Sequence, residues 1–346
     1  MKILSQRSKF SSEGMKITLL GVFLLLSTVV QGYGNILSFR NSSLLSDPND
    51  SLRGRVYEHA SLKGHKFIIN SNIGSPFIET FIENRIGAGQ TIDLDIPTIR
   101  LSGGEVVQLK GELVFTALNF EYQQKIKDWM AFNANIVVSG RLGNKAGSLI
   151  SEGVNVFTGY QFGWLFKLYK NKEMMLSGTL DVTNNSVTLV DLNKFVQGII
   201  DSGKITKDNK LVEEIPGLRA GGGLRGSYAF NQTFGFTGFV NLRNGESADR
   251  DNANRWFFNF GLAFDADLMP KQKVPIGFLL GFYSLDFAGA EEALANDPKN
   301  IIFQINYTGK DDLNLGLGVN YQTYKPVNFD RSVNFVNIVL GLKYFF

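Results

Sequence analysis

The sequence has no cysteine and only two histidines, His59 and His65, among its 346 residues. Without cysteine it has no disulfide, no thiolate metal site and no lipid-modified N-terminal cysteine. Both histidines precede the first predicted strand, which argues against Ser/His or Cys/His catalysis on the body of the fold, because such hydrolases need a base beside the nucleophile. Two imidazoles near Glu58 are more typical of a surface loop than of a metal site. We therefore expect neither an enzyme nor a bound metal or cofactor.

Charge is also scarce. Charged residues make up 19% of the chain, and 35 basic against 32 acidic residues leave a formal net charge of +3. This balance offers no basic surface for nucleic acid and no polybasic membrane patch, so nucleic acid is not an expected partner. Proline is rare at 8 residues, whereas 37 glycines and 29 phenylalanines are prominent.

Long apolar runs are missing after Val30. Before it, Lys16 precedes the run ITLLGVFLLLSTVV, and Gly32 and Gly34 supply small residues at its end. This is typical of a secretory signal peptide, predicted over residues 1–32, with Met15 as a possible true start. The run is shorter than the roughly 20 residues of a spanning helix, although an N-terminal membrane anchor remains the alternative.

From residue 77 onward the sequence alternates apolar and polar residues with a period of two, which indicates β-strands. Between Trp256 and Leu268, for example, aromatic and aliphatic residues alternate with a row that contains Asn259 and Asp265. We predict about twelve strands, with ten or fourteen as alternatives. They lie near 77–91, 109–122, 128–141, 153–169, 174–183, 217–230, 233–243, 255–268, 275–287, 301–308, 312–323 and 333–346.

Short and long connections alternate between these strands. The short links are QQKIK, YKNKE, NQ, MPKQKV and GKDD, whereas the longest link is Asn184–Pro216. A transmembrane antiparallel up-and-down β-barrel predicts short periplasmic turns against long extracellular loops and an even number of strands. A soluble barrel would bury the same apolar row inside, and a single strand fits either interpretation. The large apolar row on so many strands, together with the export signal, favours a bilayer.

The last strand carries a recognisable pattern. Its apolar residues alternate up to a final Phe346, with Gly341 and Tyr344 in register. It resembles the C-terminal signature of bacterial outer-membrane β-barrel proteins, although Val339 stands where a polar residue is preferred, and no subfamily is identified. The resemblance implies export across the periplasm of a Gram-negative bacterium. It also implies insertion into the outer-membrane lipid by the barrel-assembly machinery.

Strand register predicts a set of charged residues that face the lumen. Lys167, Arg219 and Arg225 among them form a basic stretch that could guide anions, while ion pairs filling a closed lumen are the alternative. Because the first and last strands must pair to close a barrel, we expect Lys343 to lie near Glu79 or Glu83. The lumen candidates are Glu79, Glu83, Arg85, Lys167, Arg219, Arg225, Asp265 and Lys343.

Apolar residues recur at helical spacing in the longest link, which predicts one loop helix near residues 191–202. This helix could act as a gate in the mouth or pack on neighbouring loops. Its apolar residues are Leu192, Phe195, Val196, Ile199 and Ile200.

Three regions follow: the signal peptide, a polar segment over residues 33–76 and the barrel over 77–346. The polar segment is either a periplasmic tail or a plug in the lumen. We expect an outer-membrane channel or transporter for small solutes through a polar, Gly-rich lumen. The alternative is a closed structural or adhesive barrel that binds partners through its long loops. The sequence predicts neither the solute nor the oligomeric state.

Overall fold

Antiparallel strands dominate the computed structural model, which describes residues 59–92, 99–101, 104–107, 114–142, 153–190, 212–215, 217–246, 254–284, 299–324 and 333–346. The strands are β1 Ser61–Leu62, β2 His65–Lys66, β3 Phe81–Ile92, β4 Ile99–Leu101, β5 Gly104–Val107, β6 Val114–Lys127, β7 Met130–Leu142, β8 Gly153–Lys170, β9 Met174–Val190, β10 Val212–Ile215, β11 Leu218–Ala229, β12 Phe234–Gly245, β13 Arg255–Asp267, β14 Ile276–Ser284, β15 Lys299–Tyr307, β16 Leu313–Tyr324 and β17 Val333–Phe345. A short helix, α1, covers Met269–Gln272.

Twelve of these strands close into an up-and-down barrel, as predicted. They are β3, β6–β9 and β11–β17, and each pairs antiparallel with the next along the chain. The ring is sealed by β17 and β3, where Lys343 is the Cα partner of Glu83. The short β10 extends the same sheet by pairing with the far part of β9. β1 with β2, and β4 with β5, form two small separate hairpins.

Three predicted boundaries are wrong. The first barrel strand begins at Phe81 and not at residue 77. The QQKIK segment, predicted as a turn, belongs to β6, because its backbone continues to pair with β7 after the apolar pattern has ended. Residues 184–190, predicted as loop, continue β9 and pair with β8 and β10. In the last two cases hydrogen bonding extends the strand beyond the apolar alternation that defined its sequence pattern.

The barrel carries its apolar residues outside and its polar residues inside. Leu280 and Phe258 are 58% and 57% exposed, whereas Asp265 and Asn259 are 1% and 2% exposed. Along β12 and β13, exposed and buried residues alternate with the two-residue period of a β-strand. A soluble protein rarely exposes a contiguous apolar patch larger than a few hundred Å². The exterior is therefore that of a barrel surrounded by lipid.

The five turns at one end of the barrel are short and fully described. They join β6 to β7, β8 to β9, β11 to β12, β13 to β14 through α1, and β15 to β16. We call this the turn end. Exposed aromatic residues lie near it, including Trp129 and Phe346, and Trp256 is exposed toward the opposite end. Rings at both ends of an apolar band are typical of membrane interfaces. Among the described residues no helix is long and apolar enough to cross a membrane.

Candidate functional site in the barrel lumen

A segment that precedes the first barrel strand occupies the lumen. We call residues 60–79 the luminal loop. Its two ends meet at the turn end, where the Ala60 N–H donates a hydrogen bond to the Glu79 carboxylate. Between them the chain contacts inward-facing residues as far along the barrel as Tyr283, whose hydroxyl accepts a hydrogen bond from Asn72 Nδ2 at 3.2 Å. The loop thus enters and leaves through the same mouth.

Local sequence explains both bends of the luminal loop. The β1–β2 hairpin turns at Lys63 and Gly64, which have φ of 52° and 79°, as a two-residue hairpin turn requires. Deeper in the lumen, the N–H groups of residues 73 and 74 donate to the Asn70 carbonyl. Gly74 has φ 78°, and a methyl group there would lie 2.8 Å from the Arg225 guanidinium carbon. The positive φ therefore favours glycine at the inner bend, and a larger residue there would also have to displace the end of the Arg225 side chain.

The β1–β2 hairpin lies across the mouth at the turn end. Lys63 Nζ is 2.6 Å from Glu173 Oε1 in the β8–β9 turn. Lys66 Nζ donates to the Lys310 carbonyl in the β15–β16 turn, on the opposite side of the ring. Burial lowers the pKa of Lys66. The hairpin is thus held at both sides of the opening that it covers.

Apolar side chains of the luminal loop pack on one side of the barrel interior. Ile68 and Ile73 belong to one buried cluster with residues of β12–β15, and Phe67 and Ile69 belong to a second with residues of β9 and β11. Each fully buried side chain of this size stabilises the packing by about 1.5–3 kcal/mol. The barrel residues of the two clusters are Phe239, Ala263, Leu279, Tyr283, Ile302, Met175 and Ala229.

Glycines on this side of the barrel interior leave spaces for side chains of the luminal loop, and we call these spaces seats. A methyl group at Gly277 would overlap Ile68 Cδ1, and one at Gly281 would lie 2.9 Å from Ile73 Cδ1. The luminal loop therefore fills the room that these two inward glycines leave. We call the inward faces of β9 and β11–β14, together with Ile302 of β15, the docked wall.

Polar anchors supplement the apolar packing. Asp265 Oδ2 lies 2.8 Å from His65 Nε2 and accepts a hydrogen bond from the Ile68 N–H at 3.1 Å. Ser177 Oγ donates to the Pro76 carbonyl at 2.6 Å. His65 and Asp265 side chains are 0% exposed. Both histidines precede the first barrel strand, as expected, but the expectation of a surface loop is wrong for His65, because the segment that carries it folds back inside the barrel.

Glu79 is the buried acid at the base of the luminal loop. Burial raises the pKa of Glu79 to about 7, and this shift is partly offset by the Ala60 N–H and by Lys343, Lys170 and Lys66. Gln123 Nε2 donates to the backbone carbonyl of Glu79 at 3.0 Å and holds this end of the loop on β6. The base of the loop is thus the part whose charge changes near neutral pH.

The seam between β17 and β3 carries the charge cluster that contains Lys343. Lys343 Nζ lies 2.8 Å from Glu83 Oε2, which confirms the expected proximity. Arg85 Nε lies 3.8 Å from Glu83 Oε1, and Glu121 is the Cα partner of Glu83 on β6. Two acids and two bases therefore meet on one patch of the lumen, where the summed charge is zero.

The predicted basic stretch consists of side chains with different neighbours. Arg225 NH1 donates to the Ser75 carbonyl at 3.4 Å, and the Arg219 guanidinium carbon lies 3.1 Å from the centroid of the Phe257 ring. Lys167 pairs with the inward-facing Ser177 on β9, near the turn end. The proposed role of these three residues in guiding anions stays a prediction.

Sequence reasoning missed a second ion pair in the lumen. Arg243 of β12 forms a bidentate contact with Asp181 of β9, with N–O distances of 2.6 and 3.1 Å. Asp181 is buried, and its partner Arg243 is an arginine that the strand register had not singled out. Arg243 lies near the end of the predicted strand, where the inward row is hardest to follow.

A small polar cavity remains beside the luminal loop. The space open to the centres of water molecules is about 20 Å³, so the cavity holds one or two of them. Its walls include Asn70 of the loop, Gln304 and Asn306 of β15, Gly318 of β16 and Lys343 of β17. Solutes larger than water do not fit through it in this conformation.

Two sets of predictions are not resolved by the described residues. The loop-helix residues Leu192, Phe195, Val196, Ile199 and Ile200 lie outside them, and so do residues 33–58 of the predicted periplasmic or plug segment. The roles of Gly341, Tyr344 and Phe346 in membrane insertion also remain predictions. The register of β17 places Lys343 inside the barrel, and Phe346 is 50% exposed.

The chain matches no family model, and no curated protein is similar to it. Among solved structures it is similar to the P. putida toluene transporter TodX, with 10% identity, a TM-score of 0.40 and coverage of 78% of this chain and 90% of the other. It is also similar to a Pseudomonas aeruginosa FadL homologue, with 11% identity, a TM-score of 0.42 and coverage of 78% of this chain and 90% of the other. For the KdgM porin in complex with disordered oligogalacturonate, the identity is 7%, the TM-score is 0.39 and the coverage is 77% of this chain and 99% of the other. Identities and TM-scores this low carry no argument about function.

Proposed function

We propose that this protein is an outer-membrane channel for small solutes, closed in the present conformation by its luminal loop. The membrane location is supported by the apolar exterior, where Leu280 and Phe258 are more than half exposed. The predicted signal peptide and the C-terminal strand pattern are consistent with export and insertion. The polar interior would line a hydrated path across the membrane once the luminal loop withdraws.

The luminal loop is the observation that carries the proposal. It is held in the lumen by packing and hydrogen bonds, and it fills seats formed by Gly277 and Gly281. Because both of its ends lie at one mouth, it can withdraw without passing through the barrel. A removable segment in a polar lumen is what a gated channel requires.

A closed structural or adhesive barrel remains the second candidate. It is favoured by the ion pairs Arg243–Asp181 and Lys343–Glu83, which fill part of the lumen with buried charge. In that case the luminal loop would be a permanent core and would never leave its seats.

Solute uptake into proteoliposomes distinguishes these functions. In the double variant Ile68→Ser with Ile73→Ser, the loop loses its apolar packing on the docked wall, so we expect uptake of small solutes to rise by about tenfold or more. The matched control is Ile301→Ser with Ile305→Ser, on the outer face of β15, where both residues are exposed. It should show no such rise.

Folding must be verified for each variant by circular dichroism and by the mobility shift of heated against unheated protein. If the wild type and the folded loop variant both exclude every small solute and ion, the channel function is refuted and the closed structural barrel is supported.

A further inference from the structure

The inner surface of the barrel has two sides of different chemistry. The docked wall meets the luminal loop through apolar clusters. We call the inward faces of β15–β17 and β3 at the cavity the amide wall, because carboxamides and glycines predominate there. From the loop, Ile69 and Asn70 face the same cavity, and Asn70 Nδ2 donates to Gln304 Oε1 at 2.9 Å.

Glycines on the two sides differ in what lies in front of them. A methyl group at Gly277, on the docked wall, would overlap the luminal loop. On the amide wall, a methyl group at Gly318 would find its nearest atom at 3.6 Å, and one at Gly341 at 3.4 Å, which is ordinary contact. The docked-wall glycine is occupied by the loop, whereas these two face the remaining space.

The amide wall also presents hydrogen-bonding capacity that is not used. Asn306 is 2% exposed, and its Nδ2 donates to Asn314 Oδ1 at 2.7 Å. Its own Oδ1 has no hydrogen-bond partner among the described residues, and Arg85 Nε makes only the 3.8 Å ion pair with Glu83. Buried polar atoms are normally satisfied, so unpaired ones at a cavity mark a place for a polar guest.

The amide wall carries Glu83, Arg85 and Lys343, and Glu121 on the adjacent strand β6 supplies a second acid beside Glu83. The formal charges of these four residues sum to zero. An ion entering here would lose hydration without meeting a net opposite charge, which is unfavourable. A neutral solute with several hydroxyl groups could instead donate to and accept from the amides.

We propose that the solute path runs between the luminal loop and the amide wall, and that it takes small neutral polyhydroxylated solutes. This inference rests on the proposed channel function. The path opens when the loop moves away from the amide wall and the Asn70–Gln304 hydrogen bond breaks. The cavity lies on this path, with Gly318 on its surface.

Uptake of three open-chain solutes of similar size tests the selectivity. Labelled sorbitol is neutral, gluconate is an anion and glucamine is a cation. In proteoliposomes with the wild type, or with the Ile68→Ser and Ile73→Ser variant, sorbitol uptake should exceed uptake of each charged solute by about tenfold or more.

A matched pair of glycine variants tests the route. Gly318→Phe places a ring at the cavity, at a position where a methyl group would make only ordinary contact at 3.6 Å, and should lower sorbitol uptake by about tenfold or more. Gly226→Phe adds the same ring to the outer face of β11, where a methyl group would meet its nearest atoms at 3.6 Å, and should leave uptake unchanged.

The outcomes separate this inference from the function on which it rests. Gluconate or glucamine entering as fast as sorbitol overturns the solute class, and undiminished sorbitol uptake in folded Gly318→Phe overturns the route. In both cases the protein would still be a channel. Absence of any uptake by the wild type and the loop variant would instead refute the channel itself.

Discussion

Glu79 should make the luminal loop respond to pH. Glu79 is 8% exposed as a residue, and its carboxylate accepts a hydrogen bond from the Ala60 N–H at the base of the loop. Burial disfavours the ionised form, and the basic groups of Lys66, Lys170 and Lys343 offset only part of that effect. When the loop withdraws into water, this penalty disappears. Ionisation of Glu79 therefore favours the withdrawn loop.

The size of the effect follows from the two pKa values of Glu79. The pKa is about 7 in the seated loop, against an ordinary value of 4.5 in water. Since the seated state binds the proton more tightly, seating is most stable below pH 4.5 and weakens as the pH rises to 7. Between pH 5 and pH 8 the change is about 2.5 kcal/mol, or roughly 70-fold in the equilibrium between seated and withdrawn loop.

Sorbitol uptake into proteoliposomes at pH 5 and pH 8 measures this change. Wild-type uptake should be much faster at pH 8, and Glu79→Gln, which keeps an acceptor for the Ala60 N–H, should remove most of the difference. Glu173→Gln makes the same substitution at the exposed mouth and should keep it. The reasoning is refuted if wild-type uptake is flat or falls with rising pH, or if Glu79→Gln retains the full pH dependence.

Four further predictions test the structural assignments. Asp265→Ala removes the acceptor of His65 Nε2 and of the Ile68 N–H. Each unsatisfied donor should destabilise the seated loop by about 1–3 kcal/mol, so a protease should cut within residues 60–79 sooner than in the wild type. Glu83→Gln leaves Lys343 without its closest buried partner and should reduce the free energy of unfolding by about 3 kcal/mol in urea titration, with recovery when Lys343→Met is added. Leu280→Lys should destabilise the barrel in liposomes by about 2–4 kcal/mol if Leu280 faces lipid, and a neutral result would contradict that orientation. Lys63→Ala removes only a solvent-exposed pair, so its thermal melt should match that of the wild type.

The barrel could be predicted from sequence because lipid and lumen impose opposite demands on successive residues. In β17 the alternation placed Lys343 inside, and closure of the ring then placed it beside Glu83. Both steps need only the two-residue period and the pairing of first and last strands. The same period failed at the ends of β6 and β9, where backbone pairing continues through residues that no longer alternate.

The luminal loop could not be predicted because its contacts follow no local period. His65 and Asp265 are 200 residues apart in sequence, and nothing near either residue indicates the other. One signal was present: the apolar run Phe67–Ile69 lies in a segment that is otherwise polar. Such a run needs a place to be buried, and the inward glycines of β12 and β14 provide it. Matching apolar residues in one segment to gaps in another requires the three-dimensional arrangement.

The meeting of Ala60 and Glu79 at one mouth has a consequence for the kinetics of opening. A segment whose two ends leave on the same side is not threaded, so it can leave and return while the barrel stays intact. Its attachment to β3 confines it near the mouth, and such tethering corresponds to an effective concentration on the order of millimolar. Rebinding is then an intramolecular event, independent of protein concentration in the membrane. Each barrel would open for the lifetime of its own withdrawn loop and then reset itself.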